Sequence, residues 1–167
     1  MILCKNNIRQ HVRCIIAHRE DWCIQGAAQI IADHWNHKQL EMNRNIKSMR
    51  EDSKDNLPCH LVLILSNCHQ FEEDFNGEKL RDDLVVGHVK LTRADGRSDG
   101  PCCISFSLVV KKEFRGLGLG RILTEEAEDF ARSLKISYMY LSTSDQVPNA
   151  SFLWIFFNGS FDFVLCY

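Results

Sequence analysis

The chain has 167 residues, 45% of them hydrophobic and 25% charged, which suffices for one domain with a full core and is short for two. The 20 Lys and Arg residues against 22 Asp and Glu give a formal net charge of −2, which excludes a global attraction to nucleic acid or anionic membranes. No apolar run is long enough to span a bilayer, and the first residues lack the apolar stretch of a signal peptide. We therefore expect a single domain over residues 1–167 with a cytoplasmic location.

The cysteine content is high for this length but shows no metal-binding pattern. Eight cysteines are present, and no two of them are spaced as C-x-x-C, the pair typical of zinc sites. We therefore expect reduced, half-buried thiols and no metal site.

The first third of the chain predicts a strand followed by helices. Residues 12–17 predict a strand, and Asp21 lies near the start of a helix that reaches Trp35 with apolar residues at helical spacing. Residues 37–56 are polar and predict a short second helix followed by a loop.

The remainder predicts several strands around one further helix. An acidic loop separates the first two of these strands, and a strongly amphipathic segment over residues 121–134 predicts the helix. The predicted strands cover residues 61–65, 84–92, 104–110 and 136–142, with one possible strand at 161–166. This order fits an α+β domain with a mixed sheet better than a strictly alternating parallel fold.

The most informative motif follows the strand that ends at Val110. Arg115-Gly-Leu-Gly-Leu-Gly120 spells R-x-x-G-x-G and leads into the amphipathic helix. Glycines let successive backbone N–H groups converge on an anion, and the helix start adds unpaired N–H groups and the positive dipole end. A dinucleotide fingerprint would need glycine at Arg121, and a Walker A loop would need Gly-Lys-Ser/Thr. The motif thus predicts a pyrophosphate pocket, with a flexible turn as the alternative.

This arrangement resembles the acetyl-CoA loop of the GNAT superfamily of N-acetyltransferases. The resemblance implies the GNAT fold, a central mixed sheet with flanking helices, and acetyl-CoA as the cofactor. It also implies that the backbone of the strand before the loop holds the pantetheine arm. The implied cofactor-binding residues are Leu108, Val109, Val110, Arg115, Gly116, Leu117, Gly118, Leu119, Gly120 and Gln146. The alternative for Arg115 is an ordinary surface arginine.

A narrower resemblance extends beyond the glycine loop. The segments at 57–63 (Leu-Pro-Cys-His-Leu-Val-Leu), 86–91 and 145–147 (Asp-Gln-Val) are similar to the actin N-terminal acetyltransferase family. This resemblance implies acetylation of the acidic N-terminus of actin, for which a positive rim should lie beside the thioester. The implied substrate-binding residues are Trp35, Lys38, Arg44, Lys47 and Ser48. The alternatives are a core position for Trp35 and a solvated helix face for the charged residues.

The expected chemistry needs little acid or base assistance. A free α-amine, with a pKa of about 7.7 to 8.0, is partly neutral at cellular pH, so alignment of amine and thioester dominates. His88 is a conceivable base through water, but a lone histidine on a strand is more often structural. The catalytic residues stay unassigned at this stage.

The sequence departs from both resemblances after Val147. The family tyrosine that protonates the leaving thiolate would fall at Ala150 or Ile155, and neither can donate a proton. We expect one strand at most there, without the hairpin that closes the substrate groove. A weakly active or inactive module that binds acetyl-CoA and actin is therefore an alternative to the enzyme, as is acetylation of a small-molecule amine. With 3 prolines in the chain, contact with profilin is not expected.

Overall fold

The computed structural model describes residues 8–36, 38–52, 55–66, 83–94, 101–141, 151–157 and 160–166. Three α-helices lie within these residues: α1 Asp21–Trp35, α2 Gln39–Glu51 and α3 Leu119–Ser133. The strands are β1 Val12–Ile16, β2 Cys59–Ser66, β3 Asp83–Arg93, β4 Cys102–Val110, β5 Tyr138–Leu141, β6 Ser151–Phe157 and β7 Ser160–Cys166. Short 3₁₀ turns follow β1 at Ala17–Arg19 and β4 at Lys112–Phe114.

The first five strands form one mixed sheet. Their order is β1-β2-β3-β4-β5, with antiparallel pairing throughout except for the parallel β4–β5 pair. Helices α1 and α2 pack with residues from one face, and α3 packs with residues from the other. The predicted α+β fold with flanking helices is confirmed.

Strand β2 contributes side chains to two core clusters, one on each face of the sheet. Its alternate residues Leu61, Leu63 and Leu65 belong to the cluster that contains α3, whereas Val62 and Ile64 belong to the cluster that contains α1 and α2. Because side chains alternate across a strand, a strand covered on both faces reads as a continuous apolar run.

The predicted elements are confirmed with small shifts at their ends. Strand β5 begins at Tyr138 rather than at residue 136, because the turn that ends α3 extends to Ile136. Lys135 adopts a left-handed φ of 59°, and the Ile136 N–H donates to the Ala131 carbonyl at 3.1 Å. Such bonds satisfy carbonyls that the helix end leaves unpaired.

The expectation that the closing hairpin is missing is wrong. Strands β6 and β7 pair antiparallel from Ser151↔Cys166 to Phe157↔Ser160. The two residues between them are Asn158 and Gly159, a dipeptide that favours two-residue hairpin turns. The apolar run of β6 lacks alternation, which is why periodicity alone did not predict this strand.

The described cysteines are free thiols, as expected, but most of them are buried rather than half-buried. Cys23, Cys59 and Cys103 are fully buried, and Cys14 is half-buried. Burial raises the pKa of each of these four thiols to about 12.

Helix α1 makes a close approach to β3 that only glycine permits. A Cβ added to Gly26 would lie 2.7 Å from a methyl carbon of Val85 and 2.8 Å from its Cβ. We expect Gly26→Ala to destabilise the protein by about 1 to 2 kcal/mol, because overpacking outweighs the helix-propensity gain of roughly 1 kcal/mol. Urea unfolding measures the change, and Gln25→Ala at the neighbouring exposed position serves as the control. An unchanged or raised midpoint for Gly26→Ala would contradict the packing described here.

Candidate functional site

The candidate site lies along strand β4. Its ladder with β5 joins Cys102–Ser105 to Tyr138–Leu141, and β4 then continues to Val110 beyond the last described residue pair. Residues 106–110 therefore have no β5 partner within the described part of the chain. This edge is where the resemblance places the pantetheine arm.

A bulge interrupts β4 on its other side. The β3–β4 register passes from Lys90↔Phe106 to His88↔Val109, so Ser107 and Leu108 together face the single residue Val89. Ser107 has a left-handed φ of 52°, as bulge residues can. The bulge removes the Ser107–Leu108 peptide from the regular ladder and makes its backbone available for other contacts.

The predicted cofactor residues of β4 bury their side chains on different faces. Val109 belongs to the cluster with α1 and α2, whereas Leu108 and Val110 pack against the cluster with α3. Since these side chains serve the core, only the backbone of this segment remains for a ligand.

The glycine loop leads directly into α3. Gly116 and Gly118 have φ values of 79° and 83°, which L side chains rarely adopt, and Gly118 is the residue before the helix. A Cβ added at either position would meet no atom of the described residues within 4 Å. Leu117 and Leu119 pack against the α3 core cluster and hold the loop in place. The open space above the glycines and the helix start fit the pyrophosphate of acetyl-CoA.

Arg115 ties this loop to β4 and α1. Its Nε donates to the Val110 carbonyl at 2.9 Å, and its Nη2 donates to His34 Nδ1 at 2.9 Å. These bonds use only part of the donor set of a guanidinium. Arg115 also lines a cavity of about 470 Å³ together with Ile30, Asp33, His34, Val109, Val110, Lys111, Lys112 and Glu113.

A second cavity lies nearer the N-terminal end of β4. It has a volume of about 330 Å³ and is lined by Ile31, Trp35, Asn45, Ser48, Met49, His60, His88, Lys90, Phe106 and Ser107. We call it the acceptor cavity. It reaches the β4 bulge from the side of α1 and α2, while the cavity at Arg115 adjoins the other end of the bulge. The two cavities are therefore consecutive along β4.

The structure brings some of the predicted substrate residues together and separates others. Trp35 and Ser48 both line the acceptor cavity, and Arg44 lies one helical turn before Ser48 on α2. Lys38 is exposed at the start of α2, where its backbone N–H donates to Glu41 Oε2 at 2.9 Å.

Lys47 does not join this group. It lines a different groove with Arg50 and lies 3.8 Å from Glu51 Oε1. Lys38 and Arg44 are not among the residues that line the acceptor cavity either; of the described residues, the cation that lines it is Lys90. Gln146 and Ala150 fall outside the described residues.

A chain of buried polar groups forms one wall of the acceptor cavity. His88 Nδ1 lies 3.2 Å from the Ser107 carbonyl, His88 Nε2 lies 2.9 Å from His60 Nδ1, and His60 Nε2 lies 2.8 Å from Asp52 Oδ2. Lys90 Nζ donates to the same Asp52 oxygen at 2.9 Å. We call Asp52, His60 and His88 the histidine chain.

Burial governs the acid–base properties of this chain. Desolvation lowers the pKa of His88 to about 3 and that of His60 to about 4, although the hydrogen bond to Asp52 opposes the shift at His60. Burial alone would raise the pKa of Asp52, but the hydrogen bonds with Lys90 and His60 bring it below its usual range.

The sequence analysis considered His88 alone and missed His60 and Asp52. His60 faces Lys90, and Val62 faces His88, so the two histidines are diagonal neighbours on adjacent antiparallel strands. The available signal was that both histidines interrupt apolar runs at 57–65 and 84–91.

The fold and the site together define an acyl-transfer class of enzyme, with a diphosphate loop at a helix start and an acceptor cavity on the same strand. The acetyltransferase (GNAT) family model matches residues 32–153, and the chain belongs to this family. It is accordingly an N-acetyltransferase, and enzymes of this family generally use acetyl-CoA.

Solved structures share the fold at low sequence identity. An aminoglycoside acetyltransferase from an uncultured soil metagenomic sample is 12% identical, with a TM-score of 0.61 over 83% of this chain and 82% of that chain. A transcriptional regulator from Bacillus halodurans is 17% identical, with a TM-score of 0.58 over 83% and 86%. Glucosamine-6-phosphate N-acetyltransferase from Arabidopsis thaliana is 14% identical, with a TM-score of 0.53 over 80% and 82%.

In the described part of the chain, no helix has the length and apolarity needed to cross a membrane.

Proposed function

We propose that this enzyme transfers an acetyl group from acetyl-CoA to the α-amine of an acidic protein N-terminus, with actin as the candidate substrate. The observation that carries the proposal is the position of the acceptor cavity, which reaches the β4 bulge at Ser107, on the strand that leads to the glycine loop. Trp35 and Ser48 line this cavity, and we assign the charged rim of the proposal to Lys38 and Arg44, of which Arg44 lies one helical turn before Ser48. The resemblance to the actin N-terminal acetyltransferases supports the choice of substrate.

The cofactor-binding residues would be the backbone of residues 108–110 and the loop 115–120, with Gln146 beside the pantetheine arm. Acetyl-CoA supplies the activated acyl group as a thioester. The chain's own contribution is to align the amine with that thioester and to exclude water from the cavity wall.

The bulge peptide is suited to polarise a carbonyl oxygen. The Ser107 carbonyl accepts a hydrogen bond from His88, and the same peptide group carries the Leu108 N–H. A hydrogen bond to the carbonyl of a peptide strengthens its N–H as a donor, because the bonds polarise one another. Leu108 N–H is therefore the donor that we assign to the developing oxyanion.

Two alternatives have specific support. The acceptor cavity measures only about 330 Å³, a volume that also suits a small-molecule amine. A weakly active module remains an alternative because Ile155, in β6, cannot protonate a thiolate. The other argument for inactivity was the expected absence of a hairpin, and β6 and β7 do pair as a hairpin.

We expect the purified chain to acetylate an Asp-Asp-Asp-led peptide about tenfold faster than a neutral peptide at low salt, with the preference shrinking at high salt. The double variant Lys38→Ala/Arg44→Ala should lose this preference, since it removes the rim. Lys47→Ala removes one positive charge from the separate groove and should keep the preference. Initial rates of CoA release with both peptides at two salt concentrations measure the wild type and the two variants.

The outcome separates the alternatives. A preference that is absent, or that salt does not change, argues against an acidic protein substrate. Faster acetylation of an amino sugar than of either peptide would instead support a small-molecule acceptor.

A further inference from the structure

The guanidinium of Arg115 is held by acceptors on two different elements. Its Nε donates to the Val110 carbonyl at the end of β4, and its Nη2 donates to His34 Nδ1 in α1, each at 2.9 Å. An arginine side chain has several rotatable bonds, so one hydrogen bond alone would leave the planar guanidinium free to rotate. The bond to His34 therefore fixes the orientation of the guanidinium as well as its place.

This contact also fixes the protonation of the His34 ring. A guanidinium only donates, so His34 Nδ1 accepts with its lone pair and the ring proton lies on Nε2. A ring protonated at both nitrogens would have no lone pair for Arg115, so the ring in this contact is neutral. The ring also packs edge-on against Trp35, with ring centroids 4.4 Å apart and an interplanar angle of 88°.

A carboxylate lies one residue away and is not the partner. His34 is the penultimate residue of α1, and both His34 and Asp33 line the cavity at Arg115. Asp33 Oδ1 instead accepts from Gln29 Nε2 at 2.7 Å, one turn earlier in the same helix. The end of α1 thus presents a neutral imidazole to the guanidinium.

The neutrality of this partner has a consequence for anion binding. The cations that line the cavity are Arg115, Lys111 and Lys112, and the carboxylates that line it belong to Asp33 and Glu113. A carboxylate bonded to Arg115 would cancel much of its charge and repel a pyrophosphate. An imidazole orients the guanidinium without cancelling its charge. Arg115 is itself exposed, so its other N–H groups are open to a ligand.

We propose that His34 is a positioning residue of the cofactor site, whose Nδ1 holds the uncompensated guanidinium of Arg115 at the glycine loop for the pyrophosphate of acetyl-CoA. This inference rests on the proposed function, which assigns the loop 115–120 to the cofactor. The effect of His34 on the cofactor passes through Arg115 alone.

Three substitutions at position 34 separate this role from packing. His34→Asn places a carbonyl oxygen where Nδ1 lies and should keep most of the affinity for CoA. His34→Leu removes the acceptor and should raise the calorimetric Kd about three- to tenfold, although leucine is the better helix former. His34→Asp adds a negative charge to the shape of asparagine and should also weaken binding, with the loss shrinking at high salt.

A packing role predicts the opposite order. If His34 served only the helix or the contact with Trp35, His34→Leu would bind CoA at least as tightly as His34→Asn, and that result would overturn the proposal. Urea unfolding confirms that each variant is folded before its affinity is compared.

A double-mutant cycle tests whether the effect passes through Arg115. Arg115→Met removes the guanidinium and should raise the Kd for CoA about tenfold or more. In that background His34→Leu should change the Kd by less than about twofold, because the bond that it removes is already absent. An effect of equal size in both backgrounds would mean that His34 acts independently of Arg115, and the proposal would be wrong.

These measurements distinguish the possible failures. If the wild-type chain binds neither CoA nor acetyl-CoA, the proposed function fails and this inference falls with it. If the wild type binds CoA and all three His34 variants share its Kd, only the role of His34 is overturned.

Discussion

Gly118→Val is expected to abolish acetyl-CoA binding while the sheet stays folded. Gly118 has a φ of 83°, and a β-branched residue held there costs about 1 to 3 kcal/mol of strain. The loop can escape this strain only by turning its peptide groups away from the start of α3. Each charge-assisted hydrogen bond lost to the pyrophosphate costs about 1.5 to 3 kcal/mol, so we expect affinity to fall by about a hundredfold or more.

Lys135→Val is the matched control for this experiment. Lys135 also has a left-handed φ, of 59°, but it lies just beyond the other end of α3. Both variants should lower the unfolding midpoint because both place valine in a strained conformation. Only Gly118→Val should change the calorimetric Kd for acetyl-CoA. A folded Gly118→Val protein with wild-type affinity would remove the loop from the cofactor site.

The conformation of the glycine loop could be predicted because it depends on local sequence. A pyrophosphate pocket needs glycines at fixed positions beside a helix start. Gly116, Gly118 and Gly120 lie at alternate positions in one short segment before the helix, so the pattern is visible in the sequence. The apolar periodicity of the helix predicts its buried face, and Leu123, Ala127 and Ala131 are buried as expected. Backbone features of this kind depend on few distant residues.

The histidine chain could not be predicted in the same way. It depends on the register of β2 against β3 and on where Asp52, the residue after α2, lies relative to His60, 8 residues later in the chain. A shift of one residue in that register would turn His60 to the opposite face of the sheet, and hydrophobic patterning does not fix the register when both faces are buried.

The position of Lys47 follows from the phase of helix α2, since Ser48 rather than Lys47 faces the acceptor cavity.

Acid should destabilise this protein well before its carboxylates titrate. The ordinary histidine pKa of 6.5 applies in the unfolded chain, whereas burial lowers it to about 4 at His60 and about 3 at His88. Between these values the unfolded state binds more protons than the folded state, so the free energy of unfolding falls as pH falls. Asp52 does not contribute in this window: its pKa is lowered on folding, so its stabilisation is lost only below about pH 4.

The expected slope approaches roughly 1.4 kcal/mol per pH unit for each of the two histidines as the pH falls below 6. Urea midpoints measured at about pH 7 and about pH 5 give this slope for the wild type. His88→Gln removes one of the two titrating groups and should reduce the slope by about half, whatever it does to stability at neutral pH. A wild-type midpoint that stays constant down to about pH 5 would mean that His60 and His88 titrate alike in the folded and unfolded chain, and the closed environment described for them would be wrong.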